Sequence, residues 1–459
     1  MGSVRRRLFL FLMVSLGPAC LGSGGSNNKP PATIPSAPNS LVALTDSTSA
    51  RIQLTWIDTA DNEFEFRIER SDDGGITYNQ VGTAPKNALG FTDLGLAAGT
   101  TYFYRVAAWN AKGYSTFAGP ASRATKGLSW TAGSMANGPG IGKAWHSAIF
   151  DSSAGGKRMI VFGGVDDGLT ILNEVWSYDL SAAAAGGWSL LTTSGTPPLP
   201  RFGHSAIYDP LNNRMIVFGG IAEVPPIPPS LVPQNDIHVL NLSTLAWSQP
   251  SVAGTPPGAR AFHTAVYDSE NERMLIYGGK DNGPSKLSDV FALSLSGGLA
   301  WSKPGTGLQP VGREQHSAIY APLQSGMILF GGLDNETVLD GSVLAGDTWT
   351  LTLMGWTKLG FSTTPGLRMG HSAVYDAVNQ RMVVFGGADS AAPTSTSGTW
   401  GLKLHTTPAW SLMAPTSGSP PPARYGHSAV YDSIRNRMVI YGGYDDGATA
   451  FDEVWVLDL

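Results

Sequence analysis

The sequence predicts an all-β fold rich in turns, and two observations indicate it. The first is composition: the 459 residues include 57 glycines and 31 prolines, whereas only 14% are charged. Frequent glycine and proline separate short strands by turns, and an aromatic content of 10% is typical of a packed core. The second is a pattern that recurs along most of the chain. At this length we also expect more than one domain.

The recurring pattern is clearest in residues 201–247. This stretch reads R-F-G-H-S-A-I-Y-D, then R-M-I-V-F-G-G, then a long proline-rich loop, and it ends at Trp247. A His-Ser or His-Thr pair and a Gly-Gly pair occur in each of six copies. The six histidines are His146, His204, His263, His316, His371 and His427. A fixed period of this size is typical of a repeat architecture.

Each copy predicts four strands, which we name a to d. Strand a alternates apolar and polar residues, and strand b is an almost continuous apolar run, which indicates burial on both faces. Gly-Gly ends strand b, where glycine permits backbone angles closed to other residues. Strand c carries an acid and then an aromatic residue, such as Asp289 and Phe291, and strand d carries one tryptophan, such as Trp301.

The His-Ser strand, the Gly-Gly pair, the aromatic strand and the spaced tryptophan resemble the Kelch repeat. Six such repeats of four strands imply a six-bladed Kelch-type β-propeller over residues 127–459. The sequence ends directly after strand c of the sixth copy, while an additional Trp130 precedes His146 by the spacing at which Trp188 precedes His204. We therefore expect residues 127–134 to complete the last blade.

A second all-β domain is expected at residues 38–126. Short alternating runs separated by turn clusters predict an antiparallel sandwich. Pro38, Trp56 and Tyr102 stand where a fibronectin type III domain has its conserved proline, tryptophan and tyrosine corner, and the segment resembles that family. The resemblance implies that the Tyr102 hydroxyl bonds nearby backbone, and that the domain is a spacer module.

The N-terminus predicts export. Three arginines precede a short apolar run, which indicates a signal peptide over residues 1–19. Cys20 is the only cysteine, and its position resembles the lipidated cysteine of bacterial lipoproteins; the alternative is an ordinary signal peptide. Residues 20–37 form a Gly/Ser/Pro-rich linker. The expected location is the bacterial cell envelope, with the outer membrane favoured over a periplasmic or secreted state.

Two charged positions recur near the loops that a propeller presents on one face. Cations stand three residues before each histidine: Lys143, Arg201, Arg260, Arg313, Arg368 and Arg424. Acids stand two residues after Gly-Gly in five copies: Asp166, Asp281, Asp334, Asp389 and Asp445. One interpretation is a ring of charge that binds an acidic sugar, a phosphate or a metal. The other is a set of structural ion pairs, which is favoured because features common to all repeats normally serve the repeat.

Residues outside the periodic pattern are better candidates for recognition, because binding sites usually lie in variable loops on a rigid scaffold. The candidates in the loops between strands b and c are Glu223, Glu336, Asp340, Asp167, Asp446 and Tyr444. The candidates just before the repeated histidines are Trp145, Phe202, Phe262, Gln315, Met369 and Tyr425. If these side chains point to the loop face, they form an aromatic rim suited to a sugar or a peptide.

The sequence favours a binding protein that presents this face to a protein or glycan partner at the cell surface. A net charge of −5 offers no footprint for nucleic acid, and the lipid anchor is the only expected membrane contact. We expect no cofactor, metal or catalytic residue, and the repeated histidines, like His238 in strand c of the second copy, are interpreted as structural. The alternatives are a carbohydrate-active enzyme similar to sialic-acid mutarotases, or a spacer. Copper radical oxidases of the Kelch type need a cysteine in the propeller, and this one has none.

Overall fold

The computed structural model covers the chain and describes residues 33–45, 51–153, 157–181, 186–224, 230–305, 307, 309–334, 343–389, 394–405 and 407–459. Within these ranges the regular structure is β, apart from the 3-10 turn Pro322–Gln324. No helix in the described ranges is long and apolar enough to cross a membrane. The expected signal peptide, Cys20 and most of the linker lie outside the described residues, as do Glu336 and Asp340.

The N-terminal region consists of two antiparallel sheets. One sheet comprises Asn39–Leu44, Arg51–Ile57 and Gly90–Leu94. The other comprises Glu65–Ser71, Asn79–Pro85, Thr101–Asn110, Gly113–Tyr114 and Ala118–Ala124. Trp56, Phe66 and Tyr104 are buried between them. The Tyr102 hydroxyl accepts a hydrogen bond from the backbone N–H of Ala97 at 2.9 Å, as expected, and this bond fixes the corner before its strand.

Six four-stranded antiparallel sheets follow in the described part of the chain, numbered here in order. Sheet 1 comprises Ser147–Asp151, Arg158–Asp166, Ile171–Asp179 and Trp188–Leu190. Sheet 2 comprises Ser205–Asp209, Arg214–Phe218, Ile237–Asn241 and Ala246–Ser248. Sheet 3 comprises Thr264–Asp268, Arg273–Tyr277, Val290–Ser294 and Ala300–Ser302. Sheet 4 comprises Ser317–Ala321, Gly326–Asp334, Val343–Thr352 and Gly355–Leu359. Sheet 5 comprises Ser372–Asp376, Arg381–Phe385, Thr399–Lys403 and Ala409–Leu412. Sheet 6 comprises Ser428–Asp432, Arg437–Tyr441, Val454–Asp458 and Ser129–Ala132.

Short strands extend several of these sheets. Three of them pair with the segment that follows Gly-Gly, or with the strand that contains it: Lys143–Ala144, Arg201–Phe202 and Arg313–Glu314. Ser194–Gly195 pairs in parallel with strand d of sheet 2. The long b–c loop of sheet 2 forms its own hairpin, Ile221–Val224 with Ser230–Pro233. The b–c loops therefore begin from backbone that is already hydrogen-bonded.

The six sheets form a closed ring. The strand a of each sheet contacts the strands a of both neighbouring sheets, and strand a of sheet 1 contacts strand a of sheet 6. Sheet 6 is completed from the other end of the chain, because Ser129–Ala132 pairs with Val454–Asp458 and places Trp130 opposite Leu457. This is the pairing expected for residues 127–134.

Aromatic stacking joins each sheet to the one before it. The tryptophan of every strand d packs against the strand b aromatic residue that directly precedes Gly-Gly in the preceding sheet. These pairs have ring centroids 4.6–5.2 Å apart: Trp188 with Tyr441, Trp247 with Phe162, Trp301 with Phe218, Trp356 with Tyr277, Trp410 with Phe330, and Trp130 with Phe385. Because Trp130 makes the contact that the other five make, the N-terminal strand is a full member of sheet 6.

Candidate functional site

A ring of six backbone hydrogen bonds joins the six sheets around the central channel. The residue directly before each repeated histidine donates its N–H to the carbonyl oxygen of the corresponding residue in the preceding sheet, at 2.7–2.9 Å. The six residues, which we call the neck, are Trp145, Gly203, Phe262, Gln315, Gly370 and Gly426. All have φ between 55° and 68°. The neck and the six histidines line a cavity of about 110 Å³.

The glycines of the neck make room for its larger side chains. A Cβ atom on Gly426 would lie 2.9 Å from the indole of Trp145, and one on Gly203 would lie 2.9 Å from the ring of Phe262. Both distances are shorter than real Cβ contacts, and the positive φ adds strain to any other residue. Three side chains, those of Trp145, Phe262 and Gln315, therefore cover a neck that is bare backbone elsewhere.

The repeated histidines are buried between the sheets. In five of the six junctions the histidine Nε2 lies 2.7–2.9 Å from the strand a hydroxyl of the preceding sheet. These pairs are His146–Ser428, His204–Ser147, His263–Ser205, His316–Thr264 and His427–Ser372. Each ring also packs on a strand b aromatic of the preceding sheet, as His204 does on Phe162 at 5.1 Å. This histidine belt thus ties neighbouring sheets together, which agrees with a structural interpretation.

The belt is uncharged at neutral pH. Burial, together with the nearby cation, lowers the pKa of His146, His204 and His371 to about 3. The other three histidines have pKa values lowered well below the usual range for the same reasons. No group of three or more His, Cys, Asp or Glu side chains suited to a metal ion is present in the described ranges.

The periodic cations form forked hydrogen bonds inside each sheet. Arg201 is fully buried, and its Nη1 donates to the carbonyl of Gly219 at 2.9 Å. The same guanidinium holds both oxygens of Asp236, at 2.7 and 2.9 Å. Burial alone would raise the pKa of Asp236, but the hydrogen bonds from Arg201 and His238 lower it overall. The contact of His238 with Asp236 agrees with the interpretation of this histidine as structural.

The acids that pair with the cations stand at the start of strand c, not after Gly-Gly. Four more pairs repeat the arrangement: Lys143–Glu174, Arg260–Asp289, Arg313–Asp347 and Arg424–Glu453. The cations of these pairs are at most 2% exposed. Arg368 in sheet 5 has no such pair among the described residues. The repeated cations are therefore held by their own sheets, with sheet 5 as the exception.

The acids after Gly-Gly shape their own loops. Asp166, Asp281 and Asp445 each accept backbone N–H groups within the following four residues. The Asp334 carbonyl accepts a hydrogen bond from Lys286 of the neighbouring loop, and Asp389 is exposed. The structure does not bring these acids into ion pairs with the repeated cations.

Adjacent b–c loops are linked by the acid that directly follows the repeated acid in sheets 6 and 1. Asp446 of sheet 6 accepts the N–H of Ser395 in sheet 5 at 2.6 Å. Asp167 of sheet 1 accepts the N–H of Ala450 in sheet 6. Glu223 of sheet 2 lies half-buried in the loop hairpin, at a position opposite Leu231. The two hydrogen bonds of Asp446 and Asp167 join the b–c loops of sheets 5, 6 and 1 into one surface.

Five aromatic side chains gather at the channel opening and form what we call the aromatic mouth: Trp145, Phe202, Phe262, Tyr425 and Tyr444. Consecutive rings lie 5.2–6.0 Å apart, in the order Phe202, Phe262, Trp145, Tyr425, Tyr444. Tyr444 is buried and donates to the carbonyl of Asp166 at 3.3 Å, whereas the other four are half-buried. Candidates from four pre-histidine segments and one b–c loop therefore form one continuous apolar surface.

The opposite side of the mouth is polar and contains a residue absent from the predicted set. Glu314 is buried, with its carboxylate 3.8 Å from the Nζ of Lys280. Burial raises the pKa of Glu314, and Lys280 partly offsets that effect. Met369, the equivalent residue of sheet 5, is buried as well. Glu314 could have been identified from the sequence, because the residue at the equivalent position of the other five copies carries no charge.

Comparison with known proteins identifies the repeat. A family model described as the KLHDC2/KLHL20/DRC7 Kelch-repeats domain matches residues 122–227, 228–365 and 348–459. The chain belongs to this Kelch-repeat family. The matched ranges contain all the sheets of the ring, which is therefore a Kelch propeller, and this part of the predicted fold is confirmed.

Two human relatives match more than half of the chain. Host cell factor 1 of Homo sapiens is 30% identical over 298 residues, which is 59% of this chain and 14% of that protein. Host cell factor 2 of Homo sapiens is 31% identical over 280 residues, 54% of this chain and 33% of that protein. The chain thus spans a minor part of these relatives. The solved structure titled "Structure of YjhT" covers 70% of this chain and 97% of its own, with a TM-score of 0.51 at 15% identity, which shows the fold alone.

Proposed function

We propose that the loop face of the propeller binds a partner protein, with the aromatic mouth as the centre of the interface. The observation that carries the proposal is the continuous row of five rings at the neck and beside it. Large aromatic side chains dominate the energy of protein interfaces, particularly at the centre of a contact. The Kelch family membership supports the same class of function by analogy.

The side chains that cover the neck favour binding at the surface over passage through the channel. A ligand that approaches from the loop face meets Trp145, Phe262 and Gln315 before the histidine belt. The linked loops of sheets 5, 6 and 1 hold one side of this surface in place. A rigid apolar patch with a polar rim is the arrangement that protein interfaces favour.

A capture experiment with residues 27–459 tests the proposal. The variant Trp145→Gly with Phe262→Gly removes the centre of the mouth, and glycine is the residue that three other neck positions already carry at the same φ. The control, Leu211→Ser with Ile434→Ser, removes two exposed apolar side chains from a–b turns on the opposite face. We expect a partner captured by the wild type and the control to be lost by the mouth variant; equal capture by all three would contradict the proposal.

A carbohydrate-active enzyme similar to sialic-acid mutarotases is the second candidate, and Glu314 is the observation that favours it. A buried carboxyl with a raised pKa beside a lysine is a possible acid or base, although it stands alone at the mouth in the described residues. Saturation-transfer NMR on N-acetylneuraminic acid would measure anomer exchange. Acceleration that is lost in Glu314→Gln would favour the enzyme, and no acceleration would favour binding. No capture and no turnover would leave a spacer role.

The finer architecture and the location are part of the same proposal. We infer that each of the six sheets is one blade, that residues 38–126 form a fibronectin type III spacer, and that Cys20 anchors the chain at a bacterial cell envelope. The Tyr102 corner bond supports the spacer, and the basic and apolar N-terminus supports export. If the anchor exists, Cys20→Ser will move the protein out of the membrane fraction; an unchanged distribution would exclude lipidation.

A further inference from the structure

One position of the repeat differs in chemistry between sheet 5 and the other five sheets. Two residues before the aromatic residue of strand c, five sheets carry an acid, whereas sheet 5 carries a glycine. In chain order these residues are Glu174, Asp236, Asp289, Asp347, Gly398 and Glu453. The five acids each accept hydrogen bonds or an ion pair from the buried cation of their own sheet. Sheet 5 retains the cation, Arg368, without its acid.

The Arg368 guanidinium is incompletely bonded. Its Nη1 donates to the carbonyl of Gly386 at 3.1 Å, as the other arginines do to their Gly-Gly carbonyls, and its Nη2 donates to the carbonyl of Pro365. Its Nε has no partner in the described part of the chain. The side chain is 5% exposed, so water does not freely solvate it. Burial lowers the pKa of Arg368 to about 10, and the charge of Asp389 partly offsets that effect without forming an ion pair among the described residues.

A second donor faces the same position. In three other sheets the indole N–H of the strand c tryptophan donates to the acid two residues earlier, at 2.6–2.9 Å: Trp176 to Glu174, Trp349 to Asp347 and Trp455 to Glu453. A Cβ atom on Gly398 would lie 3.3 Å from the Nε1 of Trp400, which places this N–H beside the same position. Trp400 has no hydrogen bond there within the described ranges. The indole N–H that holds a carboxylate in three other sheets thus lies beside a position without one. The cation of the same sheet also has no acid, and its Nη2, which binds the acid in four other sheets, donates here to the Pro365 carbonyl.

The position is reachable from solvent. The acids that occupy it in the other sheets have side chains 20–45% exposed, although their cationic partners are buried. Gly398 is only partly buried, and it follows the b–c loop, so the position opens on the loop face. A buried guanidinium without a counter-charge is costly, because desolvation is not offset by pairing. A bound anion of the right shape restores the missing pair.

We propose that Arg368 and Trp400 form a binding site for the carboxylate group of a ligand, in the space that an aspartate or glutamate side chain fills in the other five sheets. A guanidinium and an indole N–H are the groups that hold the carboxylate in other sheets, and the glycine omits a side chain of two or three carbon atoms. The group comes either from a free monocarboxylate of acetate or propionate size or from an acidic side chain of a bound peptide. This site goes beyond the proposed protein-binding surface and does not depend on it.

Thermal unfolding in sodium acetate and in sodium chloride of equal ionic strength tests the site on the purified chain. We expect saturating acetate to raise the Tm of the wild type by roughly 1–3 °C, because a ligand that binds only the folded state stabilises it. Gly398→Asp supplies the missing carboxylate, so its Tm in chloride should exceed that of the wild type and should not respond to acetate. The φ of Gly398 is open to other residues, which makes the substitution compatible with the backbone.

Gly398→Asn is the matched control, because it fills the same space without a negative charge. It should lose the acetate response without the rise in Tm. Saturation-transfer NMR with acetate on the wild type gives a readout that needs no variant. A capped Gly-Glu-Gly peptide and its Gly-Gln-Gly counterpart separate the two sources: preference for the glutamate peptide over acetate assigns a peptide side chain, and the reverse assigns a free acid. Equal Tm in acetate and chloride for the wild type, or no NMR transfer from either ligand, would overturn the proposal.

Discussion

The histidine belt and the aromatic mouth are built from adjacent residues, yet they differ in how they use the repeat. In the belt every sheet contributes a histidine, and five of six junctions make the same bond to a serine or threonine. One residue earlier, at the neck, the same positions carry tryptophan, phenylalanine, glutamine and three glycines. The difference teaches that repeated chemistry holds the ring together, whereas departures from the repeat create the surface that can recognise a partner.

The largest effect is expected when the ring that the belt holds together is opened. Deletion of residues 127–134 removes strand d of sheet 6 and Trp130, whose ring packs 5.0 Å from Phe385. Loss of one buried tryptophan costs about 3–5 kcal/mol, and the strand takes its ladder hydrogen bonds with it. Since whole domains are stable by only about 5–15 kcal/mol, we expect the propeller not to fold. Circular dichroism and calorimetry would show this, and an unchanged melting transition would disprove it.

Acid should destabilise the belt selectively. Histidines of the unfolded chain bind protons below their usual pKa of about 6.5, whereas His146, His204 and His371 in the folded protein stay neutral down to about pH 3. Stability is therefore fully present above pH 6.5 and falls as the pH drops toward 3. Each of these histidines contributes about 1.4 kcal/mol per pH unit, so the three together lower the free energy of unfolding by about 4 kcal/mol at pH 5.5.

Urea unfolding at pH 7.5, 6.5 and 5.5 measures this slope. His204→Gln keeps a polar side chain at the junction and removes one titrating group, so its free energy of unfolding should fall by about 1.4 kcal/mol less per pH unit than that of the wild type. The same free energy at pH 7.5 and 5.5 would show that the belt is not the acid-sensitive element.

The smallest effect distinguishes two junctions within the belt. Ser372 bonds His427 at 2.7 Å, whereas the Ser317 hydroxyl and the Nε2 of His371 at the equivalent junction have no partner in the described residues. Ser372→Ala should cost about 1–2 kcal/mol, because it leaves a buried ring nitrogen unpaired. Ser317→Ala should be neutral or slightly stabilising. Equal losses in calorimetry would mean that the two junctions are alike.

Much of the fold follows from the sequence. The strand pattern, the Gly-Gly turns and the spacing of Trp130 predict the Kelch propeller and the pairing of residues 127–134 with the last sheet, because periodicity reports burial directly. The partners of the periodic cations do not follow, since the strand c acid lies 29–35 residues away from Arg201, Arg260, Arg313 and Arg424 and is brought near only by the register of the sheet.

The site is less predictable because small backbone differences decide side-chain direction. Trp145 and Phe202 both precede a histidine, yet Trp145 belongs to the neck at a φ of 56°, while Phe202 stands one residue earlier in a short strand. Sequence spacing near a left-handed residue does not show which way a side chain turns. The aromatic mouth could be expected from residue types, but its order around the opening required the structure.

The neck has a consequence for selectivity. Its six residues are joined in a circle, in which each residue donates its N–H to one neighbour and accepts with its C=O from the other. The backbone at this level offers a passing solute no free N–H donor, and its carbonyl groups already accept one hydrogen bond each, unlike those of an ion-channel filter, which replace the hydration shell. Discrimination at the neck is therefore left to one indole, one phenyl ring and one carboxamide, those of Trp145, Phe262 and Gln315. These three side chains determine which solutes the neck admits.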